Sequence, residues 1–524
     1  MATPLPTQPQ KAPMSEPGVV VVGAGMAGLV SALLLAQRGV RVTVVDSADN
    51  PGGKMRQLHV DGAAIDSGPT VFTMRWVFDQ IMASVGTRLE SELTVQRLDV
   101  LARHFWEDGS QLDLYADPQR SVDAVARFAG PEQAKRFVTF CKTTRAVYDA
   151  LEGPFIRSPS PTMAQMMSGL GPRGLATLAS VGPMRSLWES LGKHFTDPRM
   201  RQLFARYATY CGSSPWQAPA TLMLIAQVEM DGVWAVQGGM HALAQCLQRL
   251  GQARGVRFIL GQECERIELS QGRVSGVRMQ SGDSLQADSV VFNGDIAALR
   301  QGLLGTGVKA AVAGKKQARS LSAVTWSMHT ATSGVALDRH NVFFRSDYKQ
   351  EFEDIFQQAR LPLQPTVYVC AQDRGTGEAV NGAERLLCLV NAPANGDKRS
   401  FTPQELTDCT ASSQELMARC GLSLQLEPSS SCIRTTPQDF HQLFPATGGA
   451  LYGQATHGWM AAFARSNAKA QVPGLYLAGG SVHPGPGVPM AAMSGQLAAA
   501  ALMGNLGLTK LSKAGATSGG TLTH

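Results

Sequence analysis

The chain has 524 residues, of which 44% are hydrophobic and 17% charged, with a formal net charge of +6. That length carries two domains or more, and the mild charge, without a basic stripe, excludes nucleic acid and suits weak attraction to an anionic membrane surface. Its nine cysteines are scattered without a CxxC pair, which excludes a disulfide framework or a zinc site and points to a reducing cytoplasm.

Residues 1–17 are rich in Pro and Gln, lack the basic-then-apolar order of a signal peptide, and are expected to form a flexible lead. Val19–Asp46 follows as VVVVGAGMAGLVSALLLAQRGVRVTVVD. Its valines predict a buried strand, Gly23, Gly25 and Gly28 a GxGxxG turn, Ala32, Leu35 and Gly39 a helix, and Val42–Val45 a second strand ending on Asp46. Glycines there permit the tight turn, the approach of a pyrophosphate and close helix–strand packing. Met26 and Ala27 stand where helix N–H groups meet phosphate, and Asp46 and Ser47 where ribose hydroxyls are bound. Residues 18–37 are uncharged and pass as a membrane span by hydropathy, but the glycine spacing argues for a buried strand and helix. With no other span in the sequence, membrane contact is expected to be peripheral.

Six residues after Asp46 come Gly52, Gly53 and Lys54, then Arg56. An acid followed by a Gly-Gly-basic group resembles the FAD pattern of glutathione-reductase-like flavoproteins, with Lys54 where Arg is usual, and this implies FAD rather than NAD. Further along, 241–255 reads as a helix, followed by a meander of three strands, near Cys264, at Val274–Met279 and at Val290–Asn293, with turns at Gln271-Gly272 and Gly282-Asp283. Near the C-terminus a strand at Leu475–Ala478 runs into Gly479, Gly480 and Ser481, then a Pro/Gly-rich loop and an Ala-rich helix beginning around Val488, Pro489 and Met490. Strand-like runs also occur at 365–372 and 385–393.

The expected fold class is therefore α/β: a Rossmann-type FAD-binding domain from three segments (18–109, 232–300 and 450–506) and a mixed α+β substrate domain (110–231 and 301–449) with a helical membrane-facing part. The tail 508–524 is expected to be flexible.

GPTVFTM (68–74), GVWAVQGGMHAL (232–243) and YLAGGSVHPGPGVP (476–489) resemble the bacterial-type phytoene desaturase family of carotenoid enzymes. Ser481 and Val482 stand where that family commonly has Gly and Thr. The run 206–243 is most similar to the 1-hydroxycarotenoid 3,4-desaturases, which act late in the pathways to spheroidene and spirilloxanthin in purple photosynthetic bacteria. The resemblance implies a long apolar carotenoid substrate and an electron acceptor such as oxygen or a quinone. It also implies a cytoplasmic protein held peripherally at the inner or photosynthetic membrane. Gly68, Pro69, Thr70 and the backbone at Cys264 are implied to border FAD. Other flavin oxidases of this superfold, phytoene desaturases included, and a flavin-free lipid-binding escort remain alternatives.

Flavin chemistry at carbon needs no metal, and none is expected. Arg145 resembles a family arginine placed near the flavin, with Lys142 where phytoene desaturases carry an acid; the alternative is a solvated helix-face charge. His483 is read either as lining the site or as structuring its loop, and Asp66 as a turn-former beside the cofactor. In 163–195, Met163, Met166, Met167, Leu170 and Trp188 alternate with Arg173, Arg185 and Lys193. That pattern suits either a membrane surface or a helix pair with an ordinary core face.

Overall fold

The computed structural model describes residues 18–182, 184–312, 317–377, 380, 382–426 and 431–508. The lead 1–17 and the tail from 509 lie outside them.

Gly18–Val22 is buried along its whole length. Such a strand needs cover on both faces, which a parallel sheet between helices supplies. The sheet has five parallel strands in the order Leu475–Leu477, Ser289–Phe292, Gly18–Val22, Arg41–Val45 and Arg257–Ile259. Helix Met26–Ala36 packs against helices Met240–Gln252 and Val488–Asn505. The crossing with the last is close, since a Cβ on Gly495 would stand 2.4 Å from the Ala27 carbonyl oxygen.

Two expectations change here. Gly39 does not continue the first helix, which stops at Ala36; Gly39 takes φ +78°, and the Val40 N–H returns to the Leu35 carbonyl at 3.2 Å. A glycine in the left-handed region ends a helix this way. Nor does the strand expected at Val290–Asn293 stay with the meander. Cys264–Ser270, Arg273–Met279 and Ser284–Gln286 form a separate antiparallel sheet, and Ser289–Phe292 crosses into the parallel one, where all four residues are buried. The turn between the first two meander strands falls at Gln271 and Gly272, both with positive φ.

A second, seven-stranded mixed sheet runs Cys432–Thr435, Ser322–Thr330, Glu384–Ala392, Val367–Ala371, His340–Phe344, Val100–Trp106 and Gln111–Tyr115. Its pairs are antiparallel except for His340–Phe344 beside Val100–Trp106. Val100–Trp106 thus pairs here although it falls within 18–109. One end of this sheet is covered by helices, among them Pro131–Leu151, Met163–Val181, Leu187–His194, Pro198–Ala205 and Leu224–Met230, which share a core with Trp106 and Phe344. The 163–195 run is two helices: Gly171 (φ +61°) and Pro172 break the first, and residues after Val181 separate the second. No helix among the described residues is long and apolar enough to cross a membrane.

Candidate functional site

The turn after the first strand faces the carboxyl ends of the parallel strands, where open α/β sheets bind ligands. Gly23 takes φ +106°, and a Cβ on Gly28 would lie 2.0 Å from the Gly23 carbonyl oxygen, so no larger residue lets helix and turn close up. Asp46 sits at the end of the adjacent strand. Its Oδ2 accepts the Ala24 N–H at 2.6 Å and its Oδ1 the Ala48 N–H at 2.8 Å. Burial raises its carboxyl above the usual range, and these two bonds oppose that rise. Gly52 bridges to Gly25, and a Cβ on Gly68 would meet the Lys54 carbonyl oxygen at 1.8 Å, so the three glycine segments form one crook.

A continuous cavity of about 1150 Å³ opens from this crook. Gly23, Gly25, Met26, Ala27, Asp46, Ser47, Gly52, Gly53, Lys54 and Arg56 line it, as do Gly68, Pro69, Thr70, Cys264, Gly479, Gly480, Ser481, Val488, Pro489 and Met490. Gly28 does not; it packs the helix behind the turn. Helices Met26–Ala36 and Val488–Asn505 both begin at this cavity without a side-chain cap. Their free N–H groups and positive dipole ends fit the phosphates and the electron-rich ring edge of a flavin dinucleotide. Lys54 donates from Nζ to the Leu451 carbonyl at 2.6 Å and lies over the Phe444 ring, and burial lowers its pKa. Arg56 donates to Thr435 Oγ1 at 3.1 Å. Burial pushes the Cys264 thiol up to about 12, which leaves it a protonated lining group rather than a nucleophile.

Three readings resolve differently from the rest. Arg145 is not among the cavity-lining residues: on helix Pro131–Leu151 its side chain is 45% exposed, paired with Asp231 and, at 3.7 Å, with Asp149. His483 also stays off the cavity wall. The residue is 2% exposed, and its ring makes a 2.9 Å hydrogen bond through Nε2 to the Ser158 carbonyl. Asp66 is no turn-former but the last residue of strand Ala63–Asp66. Its buried carboxylate accepts the Met240 N–H and, at 3.4 Å, the His241 N–H, and so caps helix Met240–Gln252. An acid in a strand end and a helix start 174 residues apart cannot be matched from sequence.

Several lining residues were missed. Asn293 donates from Nδ2 to the Gly23 carbonyl at 3.1 Å and closes over the glycine turn; its place just after a buried strand was the available signal. Arg465 donates to the Gly480 carbonyl at 3.1 Å. The rest of the cavity is walled by Phe155, Ile156, Leu222, Leu224, Ile225 and Val228, with Arg206 and Tyr210 set among them. Arg206 donates to the Tyr210 hydroxyl at 3.3 Å, and both Tyr207 and Tyr210 donate to the Glu229 carboxylate. Glu229 lies in a separate helix from the other three, so no local spacing announces the cluster.

Known proteins match this arrangement over most of the chain. Residues 26–503 match the family described as flavin containing amine oxidoreductase. A hydroxyneurosporene desaturase of Rubrivivax gelatinosus is 58% identical over 98% of both chains. One from Rhodobacter capsulatus is 43% identical over 93% of this chain and 98% of its own. A 1-hydroxycarotenoid 3,4-desaturase of a Flavobacterium is 30% identical over 92% of this chain and 98% of its own. Among solved structures, a cyclohexylamine oxidase from Brevibacterium oxydans shares the fold at TM-score 0.56 and 18% identity, covering 94% of this chain and all of its own. FAD is the cofactor. With the nucleotide crook, the cavity and these matches in hand, the chain belongs to the flavin-containing amine oxidoreductase family, in its carotenoid desaturase branch.

Proposed function

We propose that this protein is an FAD-dependent oxidoreductase acting on CH–CH groups, which introduces the C-3,4 double bond into 1-hydroxylated acyclic carotenoids of the 1-hydroxyneurosporene or 1-hydroxylycopene type. One observation carries this reading beyond the likeness to desaturases: a continuous cavity passes from the glycine crook into a compartment walled by Phe155, Leu222, Ile225 and Val228. A small polar amine needs no such compartment, whereas a polyene does.

FAD, when bound, supplies a hydride acceptor. The place of the crook residues on the cavity wall and the uncapped helix starts support a cofactor-binding role for them. The apolar walls hold the chain in register and keep water from the reacting carbons, which is the larger part of what a protein contributes when conjugation stabilises the developing charge. An acceptor such as oxygen or a quinone takes the two electrons in turn.

Long carotenoids reside in membranes, and peripheral attachment at the cytoplasmic side of the inner or photosynthetic membrane fits the exposed side chains of Met167, Leu175 and Met184 beside exposed Arg173 and Arg185.

Purified protein with FAD, given 1-hydroxyneurosporene, is expected to yield a product with one more conjugated double bond and red-shifted absorbance, resolved by pigment chromatography. Equal turnover of phytoene overturns the 3,4-desaturase assignment; absence of any carotenoid product overturns the reading as a whole.

A further inference from the structure

A guanidinium in the wall of an apolar cavity calls for a chemical reason. Arg206 is 8% exposed and Glu229 3%. Arg206 has five N–H groups, yet among the described residues it makes one hydrogen bond, from Nη1 to the Tyr210 hydroxyl at 3.3 Å; Nη2 lies 3.9 Å from Glu229 and Nε has no acceptor. Tyr210 in turn donates to Glu229, so its oxygen still has a lone pair free. Tyr207 is bonded to the same carboxylate but does not line the cavity, whereas Arg206 and Tyr210 do. Burial of so many unspent donors is costly unless a ligand takes them up.

The place suits the substrate class proposed above. Position 1 of a 1-hydroxylated carotenoid is one methylene from C-3, so a group that holds its hydroxyl must stand beside the reacting bond and not at the far end of the compartment. A chain of hydrogen bonds links the two regions: two residues after Tyr210, the Gly212 carbonyl accepts the Leu321 N–H at 3.1 Å, the Leu321 carbonyl accepts the Leu451 N–H at 3.0 Å, and the Leu451 carbonyl accepts from Lys54 Nζ at 2.6 Å in the glycine crook.

We propose that Arg206 and Tyr210 form the hydroxyl-recognition corner of the cavity: a free guanidinium N–H donates to the substrate's alcohol oxygen, and the alcohol donates to the Tyr210 oxygen. This assignment rests on the proposed substrate class. Glu229 orients both residues without touching the substrate. A carotenoid lacking the hydroxyl leaves these groups unpaired, and a site built to pair a hydroxyl disfavours such an analogue.

The test compares kcat/KM for 1-hydroxyneurosporene and for 1,2-dihydroneurosporene, the parent that differs only in lacking the hydroxyl, in the FAD-loaded protein and in Tyr210→Phe, Tyr207→Phe and Arg206→Lys. Tyr210→Phe is expected to lower the value for the hydroxylated substrate about tenfold to a hundredfold more than that for the parent, as loss of a hydrogen bond within a charged network does. Arg206→Lys keeps the charge, loses the fork, and is expected to narrow the preference as well. Tyr207→Phe removes a bond to the same carboxylate from the core side and is expected to keep the preference. A preference that survives both Tyr210→Phe and Arg206→Lys overturns the assignment, as does a fall of equal size with Tyr207→Phe. A wild-type protein that shows no preference at all overturns the proposed substrate class and this corner with it.

Discussion

His483 joins the loop after the last parallel strand to the helical layer through one bond, from Nε2 to the Ser158 carbonyl at 2.9 Å, with its ring edge-on to Phe155 at 5.3 Å. Burial lowers its pKa from the ordinary 6.5 to about 4, and the nearby Arg465 charge adds to the fall. The folded pKa therefore lies below the unfolded one, and the unfolded chain takes up the proton first. Stability from the neutral ring is complete above pH 6.5 and is lost as pH falls through 6.5 towards 4. Each tenfold difference in proton affinity between the folded and unfolded chain is worth up to about 1.4 kcal/mol. His104 and His340, both lowered to about 3 mainly by burial, act with the same sign. His483→Gln keeps an N–H donor and removes the titration. Its melting temperature is expected to fall less steeply than the wild type's between pH 6.5 and 4, and parallel curves would show that this histidine does not couple to folding.

At the scale of elements, the helices at Met163–Val181 and Leu187–His194 show why the same run of sequence supported two readings. A capping box at Thr162 and Gln165 starts the first, and Gly171 with Pro172 breaks its periodicity, so no single apolar face continues through it. Met166 and Leu170 turn into the core, whereas Met167 is 46% exposed and Met184, between the helices, 78%. Arg173, Arg185 and Lys193 are all exposed. If this face meets the membrane, changing the three to Glu is expected to reduce co-sedimentation with anionic liposomes while FAD content stays normal, and the wild-type binding is expected to weaken at high salt. Unchanged co-sedimentation would reduce the segment to a core-facing helix pair. Strands and helices with their own local signal, such as Gly18–Val22 or Val488–Asn505, were legible from residue pattern alone. Ser289–Phe292 was legible as a strand but not in its pairing, because four consecutive buried residues suit any central position and only tertiary context chooses the sheet.

The cavity is a property of the whole molecule, and that explains which parts of it could be read in advance. The glycine crook was legible because its chemistry imposes a local spacing, and twenty of the twenty-one residues assigned to FAD from sequence line the cavity wall. The opposite wall was not, since Lys54 reaches Leu451 across 397 positions and Arg56 reaches Thr435 across 379. Such contacts also predict how the cofactor and the fold depend on each other. A ligand that binds only the folded chain stabilises it by mass action, by about 2.7 kcal/mol at a free concentration a hundredfold above its Kd. Removal of FAD is expected to lower the melting temperature, and titration of FAD back is expected to raise it in a concentration-dependent way. Gly25→Val provides the internal control. A Cβ there stands 2.9 Å from Asn293 Nδ2, which must give up its place against the Gly23 carbonyl, and the larger residue fills the approach to the turn. The variant is expected to purify without flavin and to melt at or below the temperature of the stripped wild type, with no rise when FAD is added. Full flavin occupancy in Gly25→Val would move the pyrophosphate site away from this turn, and a melting temperature indifferent to FAD in the wild type would mean that the cofactor does not couple to folding.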